Sequence, residues 1–215
     1  MTLEQSLQKL KEKIEGKLPK EFVEIMHEAT ADLKASGIEI NILKVGDKAP
    51  KFSLKNQNEE IVSSEDLLKE GNVMLTFYRG IWCPYCNLDL SNLKRYKSNF
   101  EEENIKVLGV SPQSTKFNKQ IVEQQRLSFD VLNDEGNNLA SQFGLKWTMV
   151  NPLKSLYKND FKINLVDYNG DDTWTLPVPA RFVINQEGII TYAEYSVDYT
   201  KRPNPEVIFE ALKTT

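Results

Sequence analysis

Hydrophobic positions near the start of the chain recur at the three- and four-residue spacing of amphipathic helices. The first apolar stripe consists of Leu3, Leu7, Leu10, Ile14 and Leu18. Gly16 and Pro19 interrupt this pattern near its end. The second stripe consists of Phe22, Ile25, Met26, Ala29 and Leu33. We therefore predict a helical hairpin whose apolar face packs on the body of the same chain, with packing on another subunit as the alternative.

From Val45 onward, short apolar runs alternate with helical periodicity. The two most continuous runs, 73–78 and 105–110, predict strands that are covered on both faces. Shorter runs predict further strands at 52–54, 60–62, 129–132, 181–184 and 189–193. Helices are predicted at 64–68, from 84 to about 100, at 114–125, 139–143 and about 205–212. This order predicts an α/β fold with a mixed central sheet flanked by helices.

Residues 145–178 have no clear period, and we interpret them as an insertion built from short helical and extended pieces. They contain Trp147, Pro152, Tyr157 and Trp174. They separate the alternating strands and helices from a predicted terminal hairpin of two strands.

Composition narrows the classes of protein to consider. The chain has 215 residues, of which 40% are hydrophobic and 27% are charged, as is usual for soluble globular proteins. It has no apolar run of membrane-spanning length, and its charged N-terminus has no secretory pattern. The net charge of −4 and the pI of about 5.3 argue against nucleic-acid binding. We expect a cytoplasmic protein with no membrane or nucleic-acid partner.

The only two cysteines, Cys83 and Cys86, stand three residues apart. Two cysteines cannot form a disulfide scaffold, and a structural zinc site lacks ligands because the only histidine, His27, is far away in sequence. We expect no bound metal and no cofactor, and we interpret His27 as a surface residue. Two inert small side chains, or a metal clip shared by two subunits, are the alternatives to a redox pair.

Cys83 stands where a buried strand is expected to end and a helix to begin. Gly80 permits a tight turn, and Pro84 suits the first position of a helix, which places Cys83 at or near the N-cap. Unpaired backbone N–H groups and the helix dipole favour a thiolate there. Cys86 follows one helical turn later on the same side, and we expect it to be the more buried thiol. The geometry predicts that Cys83 attacks a substrate and that Cys86 resolves the adduct.

Other residues are candidates for binding the substrate or stabilising the thiolate: Arg79, Gly80, Trp82, Pro179 and Arg181. Arg79 either adds positive charge to the site or is a surface cation. A cis bond before Pro179 would present a backbone edge to the thiols, although a trans bond is the default. Arg181 points into the site or into solvent, and we favour solvent.

Several segments of the chain resemble a known family. Trp82-Cys83-Pro84-Tyr85-Cys86 after a buried strand, with Val178-Pro179 before a later one, resembles the thioredoxin fold. Residues 45–213 are similar to the peroxiredoxin-like branch of the alkyl hydroperoxide reductase and thiol-specific antioxidant family. The similar segments are 45–52, 78–86, 108–112, 177–184 and 198–200 with Arg202. The N-terminal hairpin also resembles an extension of that branch, which implies a helical extension over 1–43 and a thioredoxin-like domain over 44–215.

The resemblance implies that Cys83 is a peroxidatic cysteine whose thiolate attacks hydrogen peroxide or an organic hydroperoxide and becomes a sulfenic acid. Cys86 would then condense with it to a disulfide that thioredoxin or a similar dithiol reduces. The sequence departs from the usual pattern, which has Thr or Ser three residues before this cysteine and Pro seven before. Gly80 and Thr76 occupy those positions, and Pro179 occupies that of the usual arginine. Arg79 and Arg181 are candidate substitutes.

Three functions therefore remain open on the sequence. The first is a thiol-dependent peroxidase. The second is a thiol–disulfide oxidoreductase that acts on protein disulfides. The third is a redox sensor whose Cys83–Cys86 disulfide switches a surface, with the helical hairpin as the partner site. A homodimer is also open.

Overall fold

The computed structural model describes residues 1–202 and 204–212 of the chain. Nine strands are found in this part of the chain: β1 Ser53–Lys55, β2 Ile61–Ser63, β3 Asn72–Phe77, β4 Ile105–Ser111, β5 Asp130–Asn133, β6 Lys146–Thr148, β7 Thr175–Pro177, β8 Ala180–Ile184 and β9 Ile190–Tyr195. Seven of them form one mixed sheet in the order β2-β1-β5-β4-β3-β8-β9, and β6 pairs with β7 separately. The predicted mixed α/β architecture is confirmed.

Strand β3 lies inside the sheet, between β4 and β8, and leads into the cysteine pair. It runs parallel to β4, with Leu75 opposite Leu108, and antiparallel to β8, with Leu75 opposite Phe182. Alternate residues of β3 enter two separate cores, since Met74 faces one and Leu75 faces the other. The strand is therefore covered on both faces, as its continuous apolar run predicts.

Ten helices flank these strands in the described residues: α1 Leu3–Glu15, α2 Lys20–Ala35, α3 Ser64–Glu70, α4 Pro84–Leu93, α5 Lys97–Glu102, α6 Thr115–Gln125, α7 Asn138–Gln142, α8 Leu153–Ser155, α9 Leu165–Asn169 and α10 Glu206–Leu212. The helix predicted from 84 to about 100 is broken by a 3₁₀ turn at Lys94–Tyr96. None of the helices described here has the length and apolar character needed to cross a membrane. Residues 213–215, with which the predicted 44–215 unit ends, lie outside the described residues.

The N-terminal hairpin packs on the body of its own chain. Thr2 and Gln5 form a capping box at the start of α1, in which each side chain accepts a hydrogen bond from the backbone N–H of the other residue. Leu3 and Leu7 of α1 are buried in the core that contains α4 and α10. Met26 of α2 packs instead on the 145–178 insertion. His27 is half-exposed and bonds Glu15 at 2.8 Å, as expected of a surface residue.

The insertion forms a small third core beside the hairpin. Its short elements are β6, α8, a π-helical turn at Leu156–Asp160, α9 and β7. Its buried apolar side chains include those of Met149, Tyr157, Trp174 and Leu176. The cis peptide bond found in the described residues precedes Pro152, so the bond before Pro179 is trans.

Candidate active site

The loop between β3 and α4 is shaped by Gly80. Its φ of 151° is rarely adopted by residues with a side chain, and a Cβ there would lie 2.5 Å from Nε1 of Trp82. Gln113, which follows β4, accepts a hydrogen bond from the Ile81 N–H at 2.8 Å through Oε1. Asn87 of α4 donates to the Ile81 carbonyl at 2.7 Å. These contacts fix the path of the chain into the cysteine pair.

Cys83 is the N-cap of α4, and Pro84 is its first helical residue, as predicted. The Sγ of Cys83 accepts a hydrogen bond from the backbone N–H of Cys86 at 3.4 Å. The Cys86 thiol donates to the same sulfur, with the two Sγ atoms 2.8 Å apart. Both cysteines are free thiols, and both are fully buried. The greater burial that we expected for Cys86 is therefore not observed.

Arg79 is buried beside the thiols. Its Nη2 donates to the Tyr157 hydroxyl at 2.6 Å, and its guanidinium carbon lies 4.2 Å from the ring centre of Tyr199 and 4.8 Å from that of Trp82. The surface-cation interpretation of Arg79 is wrong, because aromatic side chains from three segments enclose it. Nε of Arg79 and Nε1 of Trp82 are buried without a hydrogen-bond partner among the described residues.

The two thiols have opposite pKa shifts. Burial raises the pKa of Cys83, but the hydrogen bond from Cys86 and the positive charge of Arg79 more than offset it and lower that pKa to about 6. Burial, the hydrogen bond to Cys83 and the negative charge on Cys83 raise the pKa of Cys86 well above its usual range. Near neutral pH the pair therefore consists of a Cys83 thiolate and a Cys86 thiol that donates to it.

Buried charges lie behind Cys86. Arg181 of β8 forms an ion pair with Asp89 of α4, and its Nη1 lies 3.5 Å from Oε1 of Glu194. The interpretation of Arg181 as a solvent-facing cation is wrong, because it is 1% exposed. Arg202 pairs with the other oxygen of Asp89 at 3.4 Å. Its Nη2 lies 3.8 Å from the Sγ of Cys86.

Asp89 is not among the candidate residues predicted from the sequence, and Arg202 is included there only in the resemblance to the family, without a role. A signal for Asp89 was present, because it stands three residues after Cys86 and so lies on the same face of a helix. Arg202 carries no such local signal, since 116 positions separate it from Cys86.

A cavity of about 200 Å³ lies over Cys83. Its walls come from the hairpin, the insertion and the active-site loop, and they are mostly apolar or aromatic: Ile14, Leu18, Met26, Tyr157, Phe161, Ile163 and Tyr199 with Arg79, Trp82 and Cys83. Pro179 is not among the residues that line it and instead lies at a smaller pocket with Arg79 and Tyr199. A cis-proline edge opposite the thiols is therefore not formed.

Comparisons with known proteins agree with this fold. The model of the AhpC/TSA family matches residues 45–193. A putative peroxiredoxin bcp of Helicobacter pylori is 35% identical over 155 residues, which cover 72% of this chain and 90% of the relative. The peroxiredoxin Bcp of Escherichia coli is 30% identical over 132 residues, which cover 61% of this chain and 83% of the relative.

Solved structures of similar proteins share the fold. The crystal structure of peroxidoxin BcpB from Mycobacterium tuberculosis superposes with a TM-score of 0.60 and 21% identity, covering 80% of this chain and 96% of that one. Enterococcus faecalis AhpC also has a TM-score of 0.60, with 19% identity over 79% of this chain and 91% of that one. With the family match over most of the chain, these results show that the chain belongs to the AhpC/TSA family and is a thiol-dependent peroxidase of the peroxiredoxin type.

Proposed function

We propose that Cys83 is the peroxidatic cysteine of this enzyme and that Cys86 resolves its oxidised form. One observation carries the proposal: the Cys83 sulfur lies at the N-cap of α4, accepts the thiol proton of Cys86 and has a lowered pKa. A thiolate is the reactive form of cysteine. The second thiol stands at 2.8 Å, which is close enough for bond formation after a small movement.

The proposed cycle consumes one peroxide and the two thiols of a dithiol reductant. The Cys83 thiolate attacks one oxygen of the peroxide, the O–O bond breaks, and an alcohol or water leaves after taking up a proton. Cys83 becomes a sulfenic acid. The Cys86 sulfur displaces hydroxide from it, which forms the disulfide and water. A dithiol reductant, for which we propose thioredoxin or a similar protein, restores both thiols and becomes a disulfide itself.

Two buried donors take the place of the hydroxyl that is missing at Gly80. Nε of Arg79 and Nε1 of Trp82 have no hydrogen-bond partner among the described residues, and both side chains line the cavity above Cys83. Donors aimed at an oxygen that gains negative charge lower the barrier of a reaction. We propose that they bind the peroxide oxygens and that Gly80 leaves room for the Trp82 indole. Arg181 supports the site through Asp89.

The cavity bears on the choice of substrate. Its apolar and aromatic walls fit a compact organic hydroperoxide, and its volume of about 200 Å³ also admits hydrogen peroxide. The reduced thiolate is fully buried, so the disulfide of a folded protein does not reach it in this structure. This observation favours peroxidase chemistry over the exchange of protein disulfides. The reductant acts at a later stage, on the oxidised form.

Steady-state consumption of hydrogen peroxide and of cumene hydroperoxide, with a thioredoxin system as reductant, tests the proposal. We expect Cys83→Ser to be inactive, because the chain has no other cysteine at the helix N-cap. We expect Cys86→Ser to consume about one peroxide per chain and to accumulate a sulfenic acid that dimedone traps, since only the second step is lost.

Turnover by Cys83→Ser would contradict the assignment of the peroxidatic cysteine. Failure of Cys86→Ser to form a sulfenic acid with one equivalent of peroxide would contradict the division of roles. Reduction of insulin disulfides by the wild-type protein, in the absence of peroxide turnover, would support the oxidoreductase alternative instead.

A further inference from the structure

Arg202 places a positive charge beside the Cys86 thiol. The residue follows β9 and reaches into the core behind α4, where its Nη2 lies 3.8 Å from the Cys86 Sγ. Its Nη1 donates to the carbonyl oxygens of Tyr199 at 3.1 Å and Lys201 at 2.6 Å. Its Nε faces Oδ2 of Asp89 at 3.4 Å. Each nitrogen of the guanidinium therefore has a partner, and one of these partners is the Cys86 sulfur.

The buried charges around the two thiols sum to one positive charge, which a single thiolate neutralises. Among the described residues the cations are Arg79, Arg181 and Arg202, and the carboxylates Asp89 and Glu194 pair with the last two of them. The titratable groups that also face this cluster are the tyrosines Tyr78, Tyr85, Tyr157, Tyr192 and Tyr199. The three cations exceed the two carboxylates by one, so one negative sulfur neutralises the cluster and two would not. Buried charges without a partner are costly, so the cluster favours one thiolate at any time.

We propose that this single negative charge passes from Cys83 to Cys86 during the reaction, and that Arg202, held by Asp89, stabilises it on Cys86. The inference rests on the proposed roles of the two cysteines and extends them to the step between peroxide reduction and disulfide formation. Arg202 touches a reacting sulfur and is a catalytic residue in this scheme, whereas Asp89 is a positioning residue.

Each proposed step conserves atoms and charge. Attack of the Cys83 thiolate on the peroxide yields the Cys83 sulfenic acid and an alkoxide, or hydroxide when the substrate is hydrogen peroxide. The proton of Cys86 neutralises this base through solvent, which leaves the negative charge on the Cys86 sulfur. That thiolate forms the S–S bond as the S–O bond of the sulfenic acid breaks, and the departing hydroxide becomes water by taking a proton from solvent.

Oxidation of Cys83 removes influences that raise the pKa of Cys86, and so favours transfer of the negative charge to Cys86. In the reduced pair, burial raises the pKa of Cys86, and so do its hydrogen bond to Cys83 and the charge there. Oxidation of Cys83 to a neutral sulfenic acid removes the latter two influences. Arg202 and Arg79 then remain, and both lower the pKa of Cys86.

Single-turnover kinetics with one equivalent of peroxide test the inference, with sulfenic acid and disulfide quantified by mass spectrometry after quenching. We expect Arg202→Gln to slow disulfide formation about tenfold or more and to move the pH profile of that step upward by about one unit, the usual effect of losing an adjacent charge. The preceding oxidation of Cys83 should change less, because Arg79 is the stronger of the two cations acting on that sulfur.

Lys201→Gln is the matched control. It removes the adjacent cation, which is 74% exposed and pairs with Asp198 at 3.7 Å rather than with a sulfur. We expect it to leave both steps at wild-type rates. Should Arg202→Gln not fold, Arg202→Lys serves in its place, since it keeps the charge but loses the forked contact with Asp89 and Cys86. We expect the pH profile of disulfide formation to move upward in Arg202→Lys as well, but by less than in Arg202→Gln.

Two results would overturn the inference and leave the proposed function standing. The first is a wild-type rate and pH profile for disulfide formation in Arg202→Gln, or an unshifted profile in Arg202→Lys if that variant is the one tested. The second is a loss of rate in Arg202→Gln that is equal for the oxidation of Cys83 and for the formation of the disulfide. If the wild-type protein formed no Cys83–Cys86 disulfide at all, the proposed role of Cys86 would fail, and the inference would fail with it.

Discussion

Cys83 is a fully buried thiol whose pKa is nevertheless lowered. Burial alone would keep it protonated, because a charge is poorly solvated in a protein interior. The hydrogen bond from Cys86 and the charge of Arg79 reverse that effect. Arg79 in turn is held by the Tyr157 hydroxyl and the ring of Tyr199. The reactivity of one residue thus depends on side chains from the insertion and from the segment after β9.

The pH dependence of peroxide reduction follows from this lowered pKa. The Cys83 thiolate is present above about pH 6 and is lost as the pH falls through that value, so we expect a rate that is flat near neutrality and declines in acid. In Arg79→Met the midpoint should rise by about one unit or more, because a nearby positive charge favours the thiolate. Stopped-flow measurement of sulfenic acid formation between pH 4 and pH 9 records both profiles.

Lys158→Met serves as the control, because this lysine stands beside Tyr157 in the chain but is exposed. Its profile should coincide with that of the wild type. An Arg79→Met profile that also coincided with the wild type would refute the role of Arg79 in stabilising the thiolate.

The segment that joins the hairpin to the sheet passes directly over Gly144, which follows α7. Gly144 has a φ of 76°, and a Cβ at this position would overlap the carbonyl oxygen of Asn41. The neighbouring Leu43 N–H donates to the carbonyl of Phe143 at 3.2 Å. The close approach of two backbones therefore fixes how the hairpin enters the fold.

Gly144→Ala should consequently lower the free energy of unfolding more than Gly188→Ala does. Gly188 has nearly the same φ, 78°, but nothing lies within 4 Å of the point that a Cβ would occupy there. We expect a loss of about 1 kcal/mol at Gly188 from backbone strain, and about 1–3 kcal/mol more at Gly144 from steric overlap. Urea denaturation of the two variants measures the difference, and equal losses would show that the linker does not press on Gly144.

At the scale of helices and strands, the pattern of hydrophobic residues predicts an element correctly where one period dominates that element. The continuous run of β3 and the stripes of α1 and α2 predicted those elements. The break at Lys94–Tyr96 was not predicted, because the apolar stripe continues through it. The sequence of the insertion predicts only short pieces, because its side chains pack on α2 rather than along one face of a regular element.

Across the whole molecule, the hairpin and the insertion meet over the active site. Ile14 and Leu18 of the hairpin line the cavity together with Phe161 and Ile163 of the insertion. These segments are distant in sequence, and together they leave the Cys83 sulfur inaccessible in the reduced protein. A small peroxide fits the cavity that they enclose, whereas a bulky reagent does not.

Reduced protein should therefore react slowly with a bulky maleimide despite its low thiol pKa. We expect labelling at least about tenfold slower than that of a free thiol at pH 7, while hydrogen peroxide still oxidises Cys83 rapidly, because access rather than ionisation limits the larger reagent. Mass spectrometry of Cys86→Ser, which retains one thiol, follows the labelling. The same variant in denaturant is the control and should label fully. Labelling of the folded variant at the rate of a free thiol would contradict the enclosed site.

The primary structure specifies the order of strands and helices, the N-cap position of Cys83 and the reach of Cys86, because each depends on residues within one or two helical turns. It could not specify the partners of Arg79 and Arg181, both of which are buried in the folded chain. Nor could it place Arg202 beside Cys86, since these residues are 116 positions apart. Backbone conformation follows mainly from near neighbours, whereas the pKa of a buried thiol follows from whichever charges the fold brings within a few ångströms. For that reason the cysteine pair can be predicted from the sequence, whereas the charged residues that set its pKa values come together only in the folded protein.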